Sequence, residues 1–296
     1  MGTVNDTICG FIPVNKAEDF TSFDAVAVTR RAVGVKRIGH CGTLDPMATG
    51  VLVVLIGRAT LAADILPVTD KSYEAEMKFG FATDTLDSQG EKTESTDRKV
   101  SEDELREYLK QFENLCEISQ IPPMYSAVKV NGQRLYDLAR KGQQVERKPR
   151  LVTIYGAELI SFNEEWQTAK IKLSCSSGTY IRTFIDSLGR DLSSLAHMTA
   201  LVRTKANGID LRDCTDIREI KANPEMAKSL IRPIESLFIT LPEITLSDDE
   251  YFRYKNGVNL RREEEDGHYR VKHEDIFIGT ANLSENELKA EKNFVI

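Results

Sequence analysis

One segment concentrates the residue types that do chemistry. Gly39-His-Cys-Gly-Thr-Leu-Asp-Pro-Met-Ala-Thr-Gly50 carries an imidazole, a thiol, hydroxyls and a carboxylate on a glycine-rich loop. The loop feeds an apolar run, Val51 to Ile56, and catalytic groups are often placed on loops that a rigid scaffold positions. Asp45, before Pro46, is the carboxylate of this loop, although an isolated Asp-Pro is more often only a turn former. Rival chemistries fit poorly. No G-x-x-x-x-G-K-[ST] phosphate loop occurs, and Gly57-Arg-Ala-Thr60 lacks the lysine that would reach a phosphate. Cys175-Ser-Ser-Gly178 is not a G-x-S-x-G nucleophile elbow. Asp84 and Asp87 lack the spacing and closing glutamate of a calcium loop, and His197, His268 and His273 form no ligand set. No metal and no cofactor are expected.

The elements that must position this loop can be read from periodicity and end signals. Thr7 to Pro13 reads as a short buried strand. Thr21-x-x-Asp24 is a capping box that opens a helix, with Arg30 and Arg31 near its end and Gly34 as its stop. Val51 to Ile56 reads as a fully buried strand. Tyr73, Ala75, Met77, Phe79 and Phe81 alternate with polar residues and predict a half-buried one. Ser101-x-x-Glu104 caps a second helix, whose Leu105, Tyr108, Leu109 and Phe112 share a face. Strands are expected around Val152–Ile160 and Ala169–Cys175, and an amphipathic helix from Arg182 to Ala196. Thr240 to Leu246 reads as a linker, followed by short apolar pieces around Gly257, Gly267 and Gly279 that suggest a small β-rich domain. Helices and strands do not alternate strictly, so the fold class is α+β with a mainly antiparallel sheet.

Composition sets the limits. The 296 residues suggest about two domains at roughly 150 residues each. The five cysteines form no C-x-x-C pair, which fits reduced thiols and a cytoplasmic protein. No basic-then-apolar leader and no membrane-spanning run are read. The net charge of −7 excludes a histone-like basic protein. Charge is unevenly spread, however. From Ile121 to Arg150, seven basic residues (Lys129, Arg134, Arg140, Lys141, Arg147, Lys148, Arg150) face only Asp137 and Glu146. Such a stretch is either a solvated surface element or an arm that grips a phosphate backbone. The last 56 residues are acidic, with eight basic against thirteen acidic side chains.

The Gly39–Gly50 segment resembles the catalytic loop of the pseudouridine synthases, specifically the bacterial tRNA pseudouridine synthase B family, which modifies uridine 55 in the T loop. The family's G-H-x-G-x-L-D-P-x-A-[ST]-G pattern is present without a break. Three further blocks agree in order: Lys71-Ser-Tyr73 running on to Thr83-Asp-Thr-Leu-Asp-Ser-Gln-Gly90, Ile121-Pro-Pro-Met-Tyr-Ser-Ala-Val-Lys129, and Ser177-Gly-Thr-Tyr-Ile-Arg-Thr183. The resemblance covers roughly residues 5 to 235.

The resemblance implies a catalytic domain over 1–240, with a mobile RNA-gripping segment at 121–150, and a PUA-like domain over 241–296. It implies that Asp45 is the nucleophile, that Arg182 pairs with it, and that Tyr73 lies against the flipped uracil. A nearby cation opposes protonation of an enclosed carboxylate, and an aromatic face offsets unstacking by about 1–3 kcal/mol per base. It further implies that Tyr180 and Leu201 line the pocket, that His40 contacts the T loop, and that Lys129, Arg134, Arg140, Lys141, Arg147 and Lys148 hold RNA. Asp87 is expected to order a turn beside the RNA surface. The reaction breaks the N1–C1′ bond and rejoins uracil through C5; it needs neither oxidation nor hydrolysis, hence no cofactor. The expected partner is the T-arm stem-loop of tRNA, with no membrane, and the chain is expected to be a monomer. Two other functions fit the same residues: an RNA-binding and refolding module with little or no catalysis, and a base-releasing glycosidase.

Overall fold

The computed structural model describes residues 8–126, 128–130, 132–143 and 145–295, without the side chains of Lys129 and Arg134. The chain divides into two compact units, one of Met1–Pro46, Gly50–Thr69 and Ala206–Ile296, the other of Met47–Thr49 and Asp70–Lys205. Among the described residues no helix is long and apolar enough to cross a membrane.

The first unit opens with β1 (Gly10–Lys16), α1 (Ser22–Val33), β2 (Ile38–Cys41) and β3 (Thr49–Ile56). Thr21 and Asp24 form the capping box, and Gly34 closes α1 in the left-handed conformation, both as the sequence predicts. The predicted Thr7–Pro13 strand is displaced to β1; Thr7 lies outside the described residues. β1 and β2 each pair antiparallel with β3. Both faces of this sheet are covered, which is why β3 reads as a continuous apolar run. Ile12, Val14, Leu52, Val54 and Ile56 pack with Ala25, Val26 and Val33 of α1. Phe11, Val51, Val53 and Leu55 pack on the other side with Phe238, Phe277 and Phe294.

The second unit holds β4 (Lys71–Phe79), β5 (Phe81–Thr83), β6 (Lys92–Ser95), α2 (Glu102–Leu109), β7 (Cys116–Gln120), β8 (Lys129–Val130), β9 (Gln133–Arg134) and α3 (Leu135–Ala139). It continues through β10 (Arg150–Asn163), β11 (Thr168–Cys175), α4 (Ile181–Asp191) and β12 (Ala196–Ala206). The sheet order here is β12-β4-β11-β10-β7, and β4, β11, β10 and β7 are antiparallel neighbours in turn. Two predicted elements are corrected. The alternation from Tyr73 to Phe81 breaks at Gly80, whose φ of 100° separates β4 from β5. The helix predicted to reach Ala196 ends at Asp191, because Gly189 packs against the backbone at Leu195 and Ala196 and Ser193 turns the chain at φ 55° into β12.

The first unit resumes with β13 (Ile209–Asp210), β14 (Thr215–Asp216), α5 (Ile217–Ala222), β15 (Arg232–Pro233), β16 (Glu243–Leu246), α6 (Asp248–Lys255), β17 (Leu260–Arg261), β18 (Gly267–His273), β19 (Ile276–Ser284) and β20 (Glu287–Asn293). β14 runs parallel to β1 and β15 antiparallel to it. The last strands form a five-stranded sheet in the order β16-β18-β19-β20-β17, with a core of its own that includes Ile244, Tyr254, Val271 and Leu283. The stretch predicted as a linker is in part β16, held parallel to β18 by Ile244 and Val271 in register. The fold class is therefore α+β, with mainly antiparallel sheets flanked by helices and a β-rich C-terminal module.

Candidate active site

Asp45 lies half-buried in the loop between β2 and β3, and the chain fixes it from both sides. On one side, the Ser22 hydroxyl donates to the Leu44 carbonyl at 3.2 Å and accepts from the Leu44 N–H at 2.9 Å. On the other, the Pro46 carbonyl accepts from the Asp19 N–H at 3.1 Å and from Lys16 Nζ at 3.1 Å. Lys16 is fully buried, and its ammonium also donates to the carbonyls of Ala17 at 2.9 Å and Phe20 at 2.6 Å. A buried ammonium is tolerable only when so compensated. His40, on β2, meets the edge of Phe23 with ring centroids 5.9 Å apart.

The second unit assembles around Arg182, near the start of α4, with only 5% of its side chain exposed. Its guanidinium donates to the Thr85 carbonyl at 3.0 Å and the Tyr125 carbonyl at 2.8 Å, and faces the Asp87 carboxylate at 3.5 Å. A cation beside a helix N-terminus is unfavourable, and these acceptors offset that. Asp87 itself accepts from the Thr85 hydroxyl at 2.6 Å and the Gln89 N–H at 3.0 Å. Gly90 closes this turn where a Cβ would collide with Asp84 and Thr85. The turn is tied to β12 through Ser88 N–H to the Met198 carbonyl at 2.9 Å and Met198 N–H to the Leu86 carbonyl at 3.1 Å.

Tyr73 sits on the buried face of β4, and Leu201 is buried on β12. Tyr180 precedes α4, where Gln120 holds it by a reciprocal pair: Tyr180 N–H to Gln120 Oε1 at 3.0 Å and Gln120 Nε2 to the Tyr180 carbonyl at 3.2 Å. Of the expected RNA-gripping residues, Arg140, Lys141 and Lys148 are exposed. Arg140 lies over the Tyr136 ring, and Arg147 donates to the Pro122 carbonyl at 3.1 Å, tying one end of the segment to the other. The side chains of Lys129 and Arg134 lie outside the described structure. His197 is buried, contacts the Phe81 carbonyl at 3.1 Å and packs on the Phe81 ring.

Sequence reasoning missed Lys16, Ser22 and Gln120 as supports of the site. A lysine ending the run Phe-Ile-Pro-Val-Asn-Lys was a usable signal for the first; Ser22 was absorbed into the helix start, and Gln120 carries no local signal.

The family model described as TruB family pseudouridylate synthase (N terminal domain) matches residues 30–181. A tRNA pseudouridine synthase B of Fusobacterium nucleatum is 39% identical over 282 residues, covering 94% of this chain and 97% of that protein. Those of Clostridium tetani and Geobacillus thermodenitrificans are 37% and 39% identical, covering 97% and 85% of this chain and 99% and 85% of theirs. The fold matches a solved Cbf5-Nop10-Gar1 complex with a TM-score of 0.73 at 22% identity, over 96% of this chain and 84% of that one. It also matches an H/ACA RNP bound to a substrate RNA containing 2′-deoxyuridine, with a TM-score of 0.71 at 21% identity, over 97% and 85%. The chain belongs to the TruB family of pseudouridine synthases.

Proposed function

We propose that this chain isomerises uridine 55 in the T loop of tRNA to pseudouridine, with Asp45 as the nucleophile. The observation that carries this reading is the unbroken Gly39–Gly50 motif, whose aspartate is clamped through both neighbouring residues, in a chain of this family. The relatives named tRNA pseudouridine synthase B support tRNA as the substrate.

In the proposed reaction the target uridine leaves its stack and enters the site. The Asp45 carboxylate acts as the nucleophile, and the N1–C1′ bond breaks. The detached uracil turns, C5 joins C1′, the bond to Asp45 breaks and returns its carboxylate, the proton leaves C5, and N1 is protonated. Arg182 pairs with Asp45 and holds its charge; Tyr73 lies against the uracil; Tyr180 and Leu201 wall the pocket; His40 contacts the T loop. Lys129, Arg134, Arg140, Lys141, Arg147 and Lys148 neutralise backbone phosphates from the 121–150 segment. Residues 1–240 form the catalytic domain and 241–296 a PUA-like module, which has a core around Ile244 and Val271 while its Phe277 and Phe294 pack with Phe11 and Val53. The protein acts as a cytoplasmic monomer.

The test uses an unmodified tRNA transcript tritiated at uracil C5, with wild type and Asp45→Asn. Tritium release by wild type alone, with pseudouridine mapped to position 55, is expected. Tight binding by both proteins without release would replace this reading with a binding and refolding module; free uracil as product would replace it with a glycosidase.

A further inference from the structure

A second surface of note lies on α1. Its buried face is Ser22, Ala25, Val26, Thr29 and Val33. The opposite ridge, Phe23, Ala27, Arg30 and Gly34, follows helical spacing and is exposed, with Arg31 alongside. Phe23 is 65% exposed. Its ring stands at 89° to the ring of His40, so the two aromatic groups stand together at the β2 end of the ridge. Two helical turns further on, about 10 Å along the axis, stand Arg30 and Arg31. Lys36 and Arg37 follow in the next loop, both exposed.

The charge of this strip is opposite to that of the whole chain. From Ser22 to Arg37 the only acid is Asp24, and its carboxylate is engaged with Thr21 in the capping box. Four basic side chains therefore stand on a surface patch of a protein whose net charge is −7. An exposed aromatic ring, a small residue that lets a backbone approach, and a row of cations are the parts of a single-stranded nucleic-acid contact.

We propose that the exposed ridge of α1 is a second RNA-contact surface, where Phe23 stacks an unpaired base next to the target and Arg30, Arg31, Lys36 and Arg37 hold the adjoining phosphates. The proposal rests on the tRNA reading above and adds a named surface to it. Phe23 and His40 stand in contact, edge to face, so the ridge starts where the Asp45 loop begins and leads the RNA strand away along α1.

The test measures binding to an unmodified tRNA transcript at several salt concentrations, and turnover separately. Phe23→Leu, which keeps apolar bulk but removes the ring face, is expected to weaken binding about tenfold, while Phe23→Tyr stays near wild type. The loss should raise KM more than it lowers kcat. Arg30→Gln with Arg31→Gln is expected to make the plot of log affinity against log salt shallower by about 1 to 2. Melting temperatures of all variants accompany these data, because the same arginines also complement the C-terminal end of the α1 dipole. A purely capping role would move the melting temperature and leave the salt slope in place, and that outcome overturns the proposal, as does Phe23→Leu binding like wild type. Failure of wild type to convert uridine would instead remove the isomerase reading, and the binding comparison would still decide the ridge.

Discussion

Asp45 and Asp87 both sit in loops of sheet units, and the protein fixes them in different ways. Asp87 is 6% exposed and is held by its own carboxylate: a hydroxyl, a backbone N–H and the Arg182 guanidinium surround it. Asp45 is half-buried, and the clamps on its loop act through the backbone of Leu44 and Pro46. A carboxylate surrounded this way serves as a structural acceptor, since moving it breaks several bonds together. Fixing an aspartate through its neighbours' backbone sets where its Cα lies without defining its side chain's task. In the proposed reaction that arrangement suits Asp45, because positional error at the reacting atoms is costly.

The largest expected effects come from exchanging the two. Asp45→Asn should lower uridine isomerisation by roughly six orders of magnitude, the scale on which removing a nucleophile acts, with little change in melting temperature. Asp87→Asn should do the reverse in kind, lowering the melting temperature while leaving measurable turnover. Equal activity losses in the two variants would erase the distinction between them.

Arg182→Met sharpens the same contrast from the partner's side. It strands the Asp87 carboxylate and the carbonyls of Thr85 and Tyr125 in a buried place. Removing one member of a buried pair costs about 3–5 kcal/mol, which urea unfolding would register. Combining it with Asp87→Asn should restore part of that loss, since the uncompensated charge is then gone; strict additivity would show that the two side chains are not coupled in stability.

Legibility in the sequence followed distance along the chain. His40 and Asp45 were readable because one twelve-residue segment carries them together with their glycines. The α1 capping box was readable because its two halves are three residues apart. Lys16 and Ser22 were not, because they meet the loop across 30 and 22 residues respectively, contacts that only folding creates. Asp87 was read as a turn former, which it is, but its place beside Arg182 is set by a guanidinium that reaches the same turn across 97 residues at Thr85. The α4 end was misread because Leu192 and Leu195 continue a helical period, whereas close packing at Gly189 and the Ser193 turn stop the helix. Arg182 itself entered through family resemblance; periodicity alone would have left it on the surface.

Lys16→Met tests the backbone clamp. Three carbonyls would lose a buried charged donor, though Pro46 keeps the Asp19 N–H. A loss of about 2–3 kcal/mol in unfolding free energy is expected, within the range for a buried polar group left unsatisfied. Turnover at a temperature where the variant is fully folded should fall far less than in Asp45→Asn. An unchanged unfolding midpoint would mean that Ser22 and Asp19 suffice to hold the loop.

The smallest effect is a pH dependence on the Asp87 side of the comparison. Burial pulls the His197 pKa below its ordinary value, opposed by the Phe81 carbonyl and, among nearby charges, by Asp87; Lys78 adds to the lowering. The folded state therefore binds the His197 proton less readily than the unfolded chain does. Stability from this residue is fully present above the ordinary histidine pKa and declines as the pH falls through it towards the lowered folded value. Urea unfolding at about pH 7.5 and pH 5.5 should show a larger drop for wild type than for His197→Gln. Asp87→Asn removes the attraction that partly restores the imidazolium, so the folded pKa drops further and the wild-type drop should grow. If the pH dependence is the same in wild type and His197→Gln, the buried imidazole contributes nothing to it.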